Sequence, residues 1–109
     1  MILANILLGI AVVGLLGAFW DDLVNFLKKA IEKVRKVVSG IVYGCKVFVQ
    51  KFREGVKEIS RHYSKVDEHW EETVVTRTIS ESDVPKDILE RAKSGQELDI
   101  TDELEMKLA

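Results

Sequence analysis

IVYGCKVFVQKFREGVKEISRHYSKV, residues 41–66, places apolar side chains at Ile41, Cys45, Phe48, Phe52, Val56, Ile59, Tyr63 and Val66. The steps are 4, 3, 4, 4, 3, 4 and 3. That is the spacing of one face of a helix, a heptad seam with a single stutter at Gly55. The seam extends upstream through Leu27, Ile31, Val34 and Val38, and downstream to Trp70. It predicts one long amphipathic helix over residues 21–72, with Asp21 as its N-cap, about 50 residues and about 75 Å long. Gly40 and Gly44 each cost about 1 kcal/mol in a helix interior and mark the place where the chain would fold back. The heptad phase runs through them unbroken, which favours a continuous or gently kinked helix over a hairpin. A seam of this kind needs a partner, so Val38, Ile41, Cys45, Phe48, Phe52, Val56 and Ile59 are expected to pack against a second copy.

Upstream of the seam, residues 1–20 read MILANILLGIAVVGLLGAFW and carry no ionisable side chain. Twenty residues of helix span about 30 Å, the thickness of a bilayer core. The segment is expected to be a transmembrane anchor, with Trp20 at the interface and Gly14 and Ala18 as a small-xxx-small contact. A signal peptide and a buried core helix are the alternatives. The first lacks a basic n-region and a cleavage site, and the second lacks enough surrounding chain. Lys28, Lys29, Lys33, Arg35 and Lys36 follow the segment and nothing basic precedes it. The positive-inside rule then gives a single-pass protein with its C-terminal side in the cytoplasm. The same five residues lie opposite Leu23, Phe26, Leu27, Ala30, Ile31, Val34, Val37 and Val38, a pattern that suits a helix on an anionic leaflet or the solvated face of a bundle helix.

Charge divides the rest of the chain. Residues 21–66 are net +6 and residues 67–109 net −8, within an overall −2. The acidic part, residues 73–109, reads as a tail. TVVTRTI, residues 73–79, is β-branched at six of seven positions and is a strand candidate without an evident partner in the chain. Pro85 opens a short helix over about 85–94, and Asp102 and Glu103 suit the first turn of another over about 101–108. Val75, Ile79, Ile88, Leu89 and Leu104 are the apolar groups with which this tail would dock on a partner.

The fold expected from sequence is therefore mainly α: a transmembrane helix over 1–20, a coiled-coil-like helix over 21–72 and a small acidic tail over 73–109. The chemistry is sparse. His62 and His69 are seven residues apart, too far on a helix to share a metal. Cys45 is the only cysteine and sits on the seam, as a buried small hydrophobe would. No P-loop, nucleophile elbow or dinucleotide fingerprint occurs. These features point to no enzyme, no cofactor, no metal and no small-molecule substrate. The basic residues come without a nucleic-acid-binding motif, and the acidic tail would repel phosphate. The leading expectation is a membrane-anchored, self-associating interaction protein that presents an acidic tail to a cytoplasmic partner. A membrane-active effector, such as a small toxin or holin-like lesion former, is the first alternative. A soluble or secreted binding or inhibitor module is the second.

Overall fold

The computed structural model describes residues 17–38, 41–92 and 95–108, with the backbone alone for residues 41–43. Residues 41–66 are two strands, so the fold is α+β rather than mainly α. The order is α1 (Ala18–Val37), β1 (Ile41–Phe52), β2 (Gly55–Val66), β3 (His69–Ile79), a 3-10 turn (Glu81–Asp83), α2 (Lys86–Arg91), β4 (Glu97–Asp99) and α3 (Thr101–Leu108). The strands form one sheet in the order β3-β2-β1-β4, and every neighbouring pair is antiparallel.

The predicted long helix fails for a definite reason. In a strand, steps of four keep a side chain on one face of the sheet and steps of three move it to the other. The apparent seam was drawn from both faces. Cys45 and Val56 point at α1, whereas Phe48, Phe52 and Ile59 lie on the opposite face, where Phe48 stands across from Ile59. The true period in β1 is two: Cys45, Val47 and Val49 are buried, while Lys46, Phe48 and Gln50 are half-exposed. β-branched and aromatic side chains favour this pleated arrangement over a helix. Helix α1 ends at Val37, Val38 is already extended at φ −91° and ψ 126°, and β1 begins three residues later.

Both hairpin loops have two residues. Phe52 pairs with Gly55, and Val66 pairs with His69. The second turn holds Asp67 and Glu68 at φ 49° and 69°, the positive values that a two-residue hairpin with right-handed strand twist demands. At the first turn Gly55 has φ +152°, and a Cβ there would stand 2.7 Å from the carbonyl oxygen of Ile79. Glycine is thus required where β2 passes β3.

Helix α1 lies on one face of the sheet. Leu23, Val24, Leu27, Ile31 and Val34 are buried to 1% exposure or less. They meet Cys45, Val47 and Val49 from β1. Val84, Ile88, Ile100 and Leu104 close the same core from the C-terminal segment. That segment is tied to β1 by the β4 ladder, by the Ile100 amide donating to the Val47 carbonyl at 3.0 Å, and by the Val47 amide donating to the Thr101 hydroxyl at 3.0 Å. The described residues of 73–108 are therefore part of the fold, not a detached tail, and β3 pairs with β2 along its whole length.

The membrane reading is corrected as well. Residues 1–16, Gly14 among them, lie outside the described residues. Residues 18–20 open α1, where Phe19 and Trp20 are 8% and 6% exposed. Trp20 packs edge-on against Phe19 with ring centroids 5.1 Å apart, and the Lys107 ammonium of α3 sits 5.0 Å from its ring. It is a core residue and not an interfacial anchor. Among the described residues no helix is long and apolar enough to cross a membrane. This finding overturns the single-pass topology with a cytoplasmic C-terminal side, and the strands β1 and β2 in place of the long helix overturn the coiled coil. The apolar face that a surface-lying or lesion-forming helix would put into lipid is the face that α1 buries on the sheet.

Candidate functional site

Strand β3 is the last in the sheet order, so among the described residues only β2 pairs with it. Eleven residues of extended backbone then present N–H and C=O groups along an open edge. Edges are usually guarded by charge, and here Glu71 and Glu72 stand near one end and Arg77 near the other. Between them, Thr73, Val74, Val75 and Thr76 carry no charge.

This uncharged window borders a groove. The C-terminal half of α1 passes beside β3, and Lys33, Val34 and Val37 face residues 73–76 across a cavity of about 290 Å³. Val37 is 75% exposed, more than an apolar side chain would have in an interior, whereas Val74, 45% exposed, pairs with Arg61 and turns its side chain to the face away from α1. An open strand edge, a matching apolar trough and a lysine at its rim thus come together. Val34 is buried in the helix–sheet core, and Val37, in the last residue of α1, continues the same apolar face into the open.

Beneath α1 the sheet carries an unusual surface. The residues of β2 that face the helix include Glu58, Ser60, His62 and Ser64, each 0% exposed. Ser60 Oγ donates to the Val75 carbonyl at 3.2 Å and shares a 2.8 Å hydrogen bond with His62 Nε2. Glu58 Oε1 accepts from Arg77 Nε, and Arg77 Nη2 reaches Asp22 Oδ2 at 3.2 Å. Among the described residues, Glu58 Oε2, His62 Nδ1 and Ser64 Oγ find no hydrogen-bond partner. Burial raises the Glu58 carboxyl above the ordinary range, against the opposing pull of the Arg77 guanidinium. Burial also lowers His62 to about 4, so the imidazole is neutral at pH 7. Cys45 is pushed up to about 12, chiefly by burial and then by Glu105, and is a thiol.

The opposite face of the sheet is stabilised by cations over rings. Arg61 lies 5.4 Å from the Phe48 centroid, Lys57 5.3 Å from Phe52 and Lys65 5.9 Å from Trp70. Arg61 also bridges Glu72 at 2.9 Å and Glu97 at 2.6 Å, tying β2 to both edge strands.

The residues singled out from sequence are dispersed. Ala18 starts α1 and is exposed, Val38 is half-buried beyond its end, and Ile41 is described by its backbone alone. Lys29, Lys33, Arg35 and Lys36 are exposed on α1 and Lys28 is half-buried; of these Lys33 reaches the groove. Val75 and Ile79 are partly buried on the helix-facing side of β3, and Leu89 packs against the core from α2. Ile88 and Leu104 are wholly buried. Val75 is the one residue of the expected docking set that lines the groove. Val37 was legible on the apolar face of α1 and Thr73 to Thr76 in the strand candidate, but nothing in their spacing brings the two together; the helix-on-sheet packing does. Among the described residues no group of three or more His, Cys, Asp or Glu is placed to hold a metal ion. Compared with protein-family models, curated proteins and solved structures, the chain matches none.

Proposed function

We propose that this protein is a small binding module that takes up an extended segment of a partner protein along the open edge of β3, and that it acts by binding rather than by catalysis. The observation that carries this reading is the coincidence of the unpaired edge at residues 73–76 with the Val34–Val37 trough beside it. A strand added there satisfies the free backbone groups, and its alternate side chains drop into the trough. Lys33 at the rim, with the exposed Arg35 and Lys36 close by on α1, favours a segment that carries a carboxylate among β-branched residues. The groups with ordinary catalytic potential support a binding role, because His62 is held neutral in the core and Cys45 is held as a buried thiol.

Amide hydrogen exchange on the full chain tests the proposal. The probe is a valine- and threonine-rich peptide containing one glutamate, compared with the same peptide bearing lysine. Protection of the edge amides of β3 by the first and much less by the second is expected. Val74→Lys should abolish it while leaving the circular dichroism spectrum unchanged. Unprotected β3 amides with every peptide would overturn the reading. A concentration-dependent dimer that itself protects β3 would replace it with self-pairing.

A further inference from the structure

The contacts between β2 and β3 fix which way each residue of β3 turns its backbone. Ser60 stands across from Val75, and its hydroxyl donates to the Val75 carbonyl at 3.2 Å. That carbonyl therefore faces β2. Backbone direction alternates along a strand, so Val74 and Thr76 turn their N–H and C=O groups to the open edge. A strand added there bonds to Val74 and Thr76. Its residues opposite Thr73 and Val75 lie on the helix side of the sheet, because directly opposed side chains share a face. Every second side chain of an incoming segment thus points toward α1.

Helix α1 meets these side chains with a row of its own. Asp22 bonds to Arg77 of β3, the Phe26 ring lies 4.8 Å from the Arg77 guanidinium, and Lys33 and Val37 border residues 73–76. With Lys29 these residues follow one another at steps of 4, 3, 4 and 4, along one side of the helix. The row runs from the Arg77 end of β3 toward its beginning, so α1 is antiparallel to β3. Its last three members, Lys29, Lys33 and Val37, are one turn apart, about 6 Å at each step. Alternate side chains of a strand are about 6.6 Å apart. Three successive helix-facing side chains of an added strand therefore meet Lys29, Lys33 and Val37 in turn. All three are exposed, and neither lysine has an ion pair among the described residues. Beyond Val37 the exposed Glu71 of β3 lies on the same side and disfavours a carboxylate at that third place.

We infer that the segment taken up by β3 runs antiparallel to it and carries two carboxylates two residues apart, followed two residues later by an apolar side chain. This specificity rests on the edge binding proposed above. An antiparallel ladder is the more stable of the two pairings per residue. In that direction the first carboxylate meets Lys29, the second Lys33, and the apolar group Val37.

Amide NMR titration of the full chain with three end-capped peptides of one composition tests the pattern. TETETVT holds both glutamates and the valine on one side of the strand, TEETTVT moves one glutamate to the other side, and TVTETET reverses the order. The first should bind more tightly than either of the others by about twofold to fivefold, the worth of an exposed ion pair, with shifts at the Val74 and Thr76 amides. Lys29→Gln and Lys33→Gln should each weaken TETETVT by the same factor, and Lys86→Gln, on α2, should not. Lys33→Glu should prefer TETKTVT to both TETETVT and TKTETVT, which places the second side chain at Lys33. Equal affinity for the three peptides, with the β3 amides still shifting, overturns this specificity and leaves the edge binding standing. Preference for TVTETET overturns it as well. Unshifted β3 amides with every peptide overturn both readings.

Discussion

Acidification should charge His62 against its burial, and the fold should weaken as it does so. The imidazole is 0% exposed and its ionisation is lowered from 6.5 to about 4. Between these values the unfolded chain binds a proton that the folded chain refuses, so stability is complete above pH 6.5 and declines as pH falls toward 4. Each unit is worth 1.36 kcal/mol, which gives about 2 kcal/mol lost at pH 5 and about 3 kcal/mol at pH 4. For a domain of this size the loss at pH 5 lowers Tm by about 10 °C. Glu58 acts in the opposite direction. Its carboxyl is raised by burial, so its contribution falls as pH rises from the ordinary carboxyl value to the raised one. The Glu58→Gln background removes that opposing trend and isolates the histidine. Urea unfolding from pH 7 to pH 4 in this background should show the full decline, and His62→Gln added to it should flatten the curve. The chain has two histidines, so a His69→Gln variant leaves one imidazole whose NMR titration reports His62 directly. A midpoint near 6.5, or an identical slope with and without His62, would refute the reasoning.

Three further outcomes follow from the same structure. Cys45, buried and pushed up to about 12, should react with iodoacetamide at pH 8 only as fast as the fold opens, with full reactivity restored in urea. Gly55→Ala places a Cβ 2.7 Å from the Ile79 carbonyl oxygen at a positive φ, and should cost about 1–3 kcal/mol in denaturant unfolding. Leu27→Ala, at a position with no exposure in the helix–sheet core, should cost about 2–5 kcal/mol in the same assay.

The elements differ in how plainly the sequence announced them, and the reasons are physical. The apolar face of α1 was evident from Leu23 to Val34, but nothing in that face distinguishes a sheet from a lipid surface as its partner. β3 was evident from its β-branched run at residues 73–79. Its neighbour β2 was hidden, because the side that faces the core carries Glu58, Ser60, His62 and Ser64 instead of alternating apolar residues. The turn between them was hidden too, since Asp67 and Glu68 adopt positive φ without the glycine or asparagine that usually signals it. In β1 the correct two-residue period of Cys45, Val47 and Val49 was masked by Phe48 and Phe52 on the outer face. Pro85 and the acidic pair Asp102 and Glu103, which lies in the first turn of α3, were more informative. Helix α2 begins directly after Pro85, and the Asp99 carboxylate accepts from the Thr101 amide at 2.9 Å at the start of α3. Of the candidate sites, the edge of β3 was visible as a strand in want of a partner. The groove beside it depends on α1 packing across the sheet, and no spacing along the chain encodes that juxtaposition.

The place of β1 between β2 and β4 orders the assembly of the molecule in time. The β1–β2 and β2–β3 pairings close through two-residue loops, whereas Phe48 meets Asp99 only after about fifty residues of intervening chain have been drawn in. The three-stranded meander is thus the natural nucleus, and the segment carrying α2, β4 and α3 arrives on a surface already built. Its three-residue ladder, short beside the β1–β2 and β2–β3 pairings, makes it the first part to leave when the protein is stressed. Ribosome stalling, limited proteolysis and mechanical pulling from the C-terminus should all meet the same early intermediate: a helix on three strands, with β1 exposed as a second open edge.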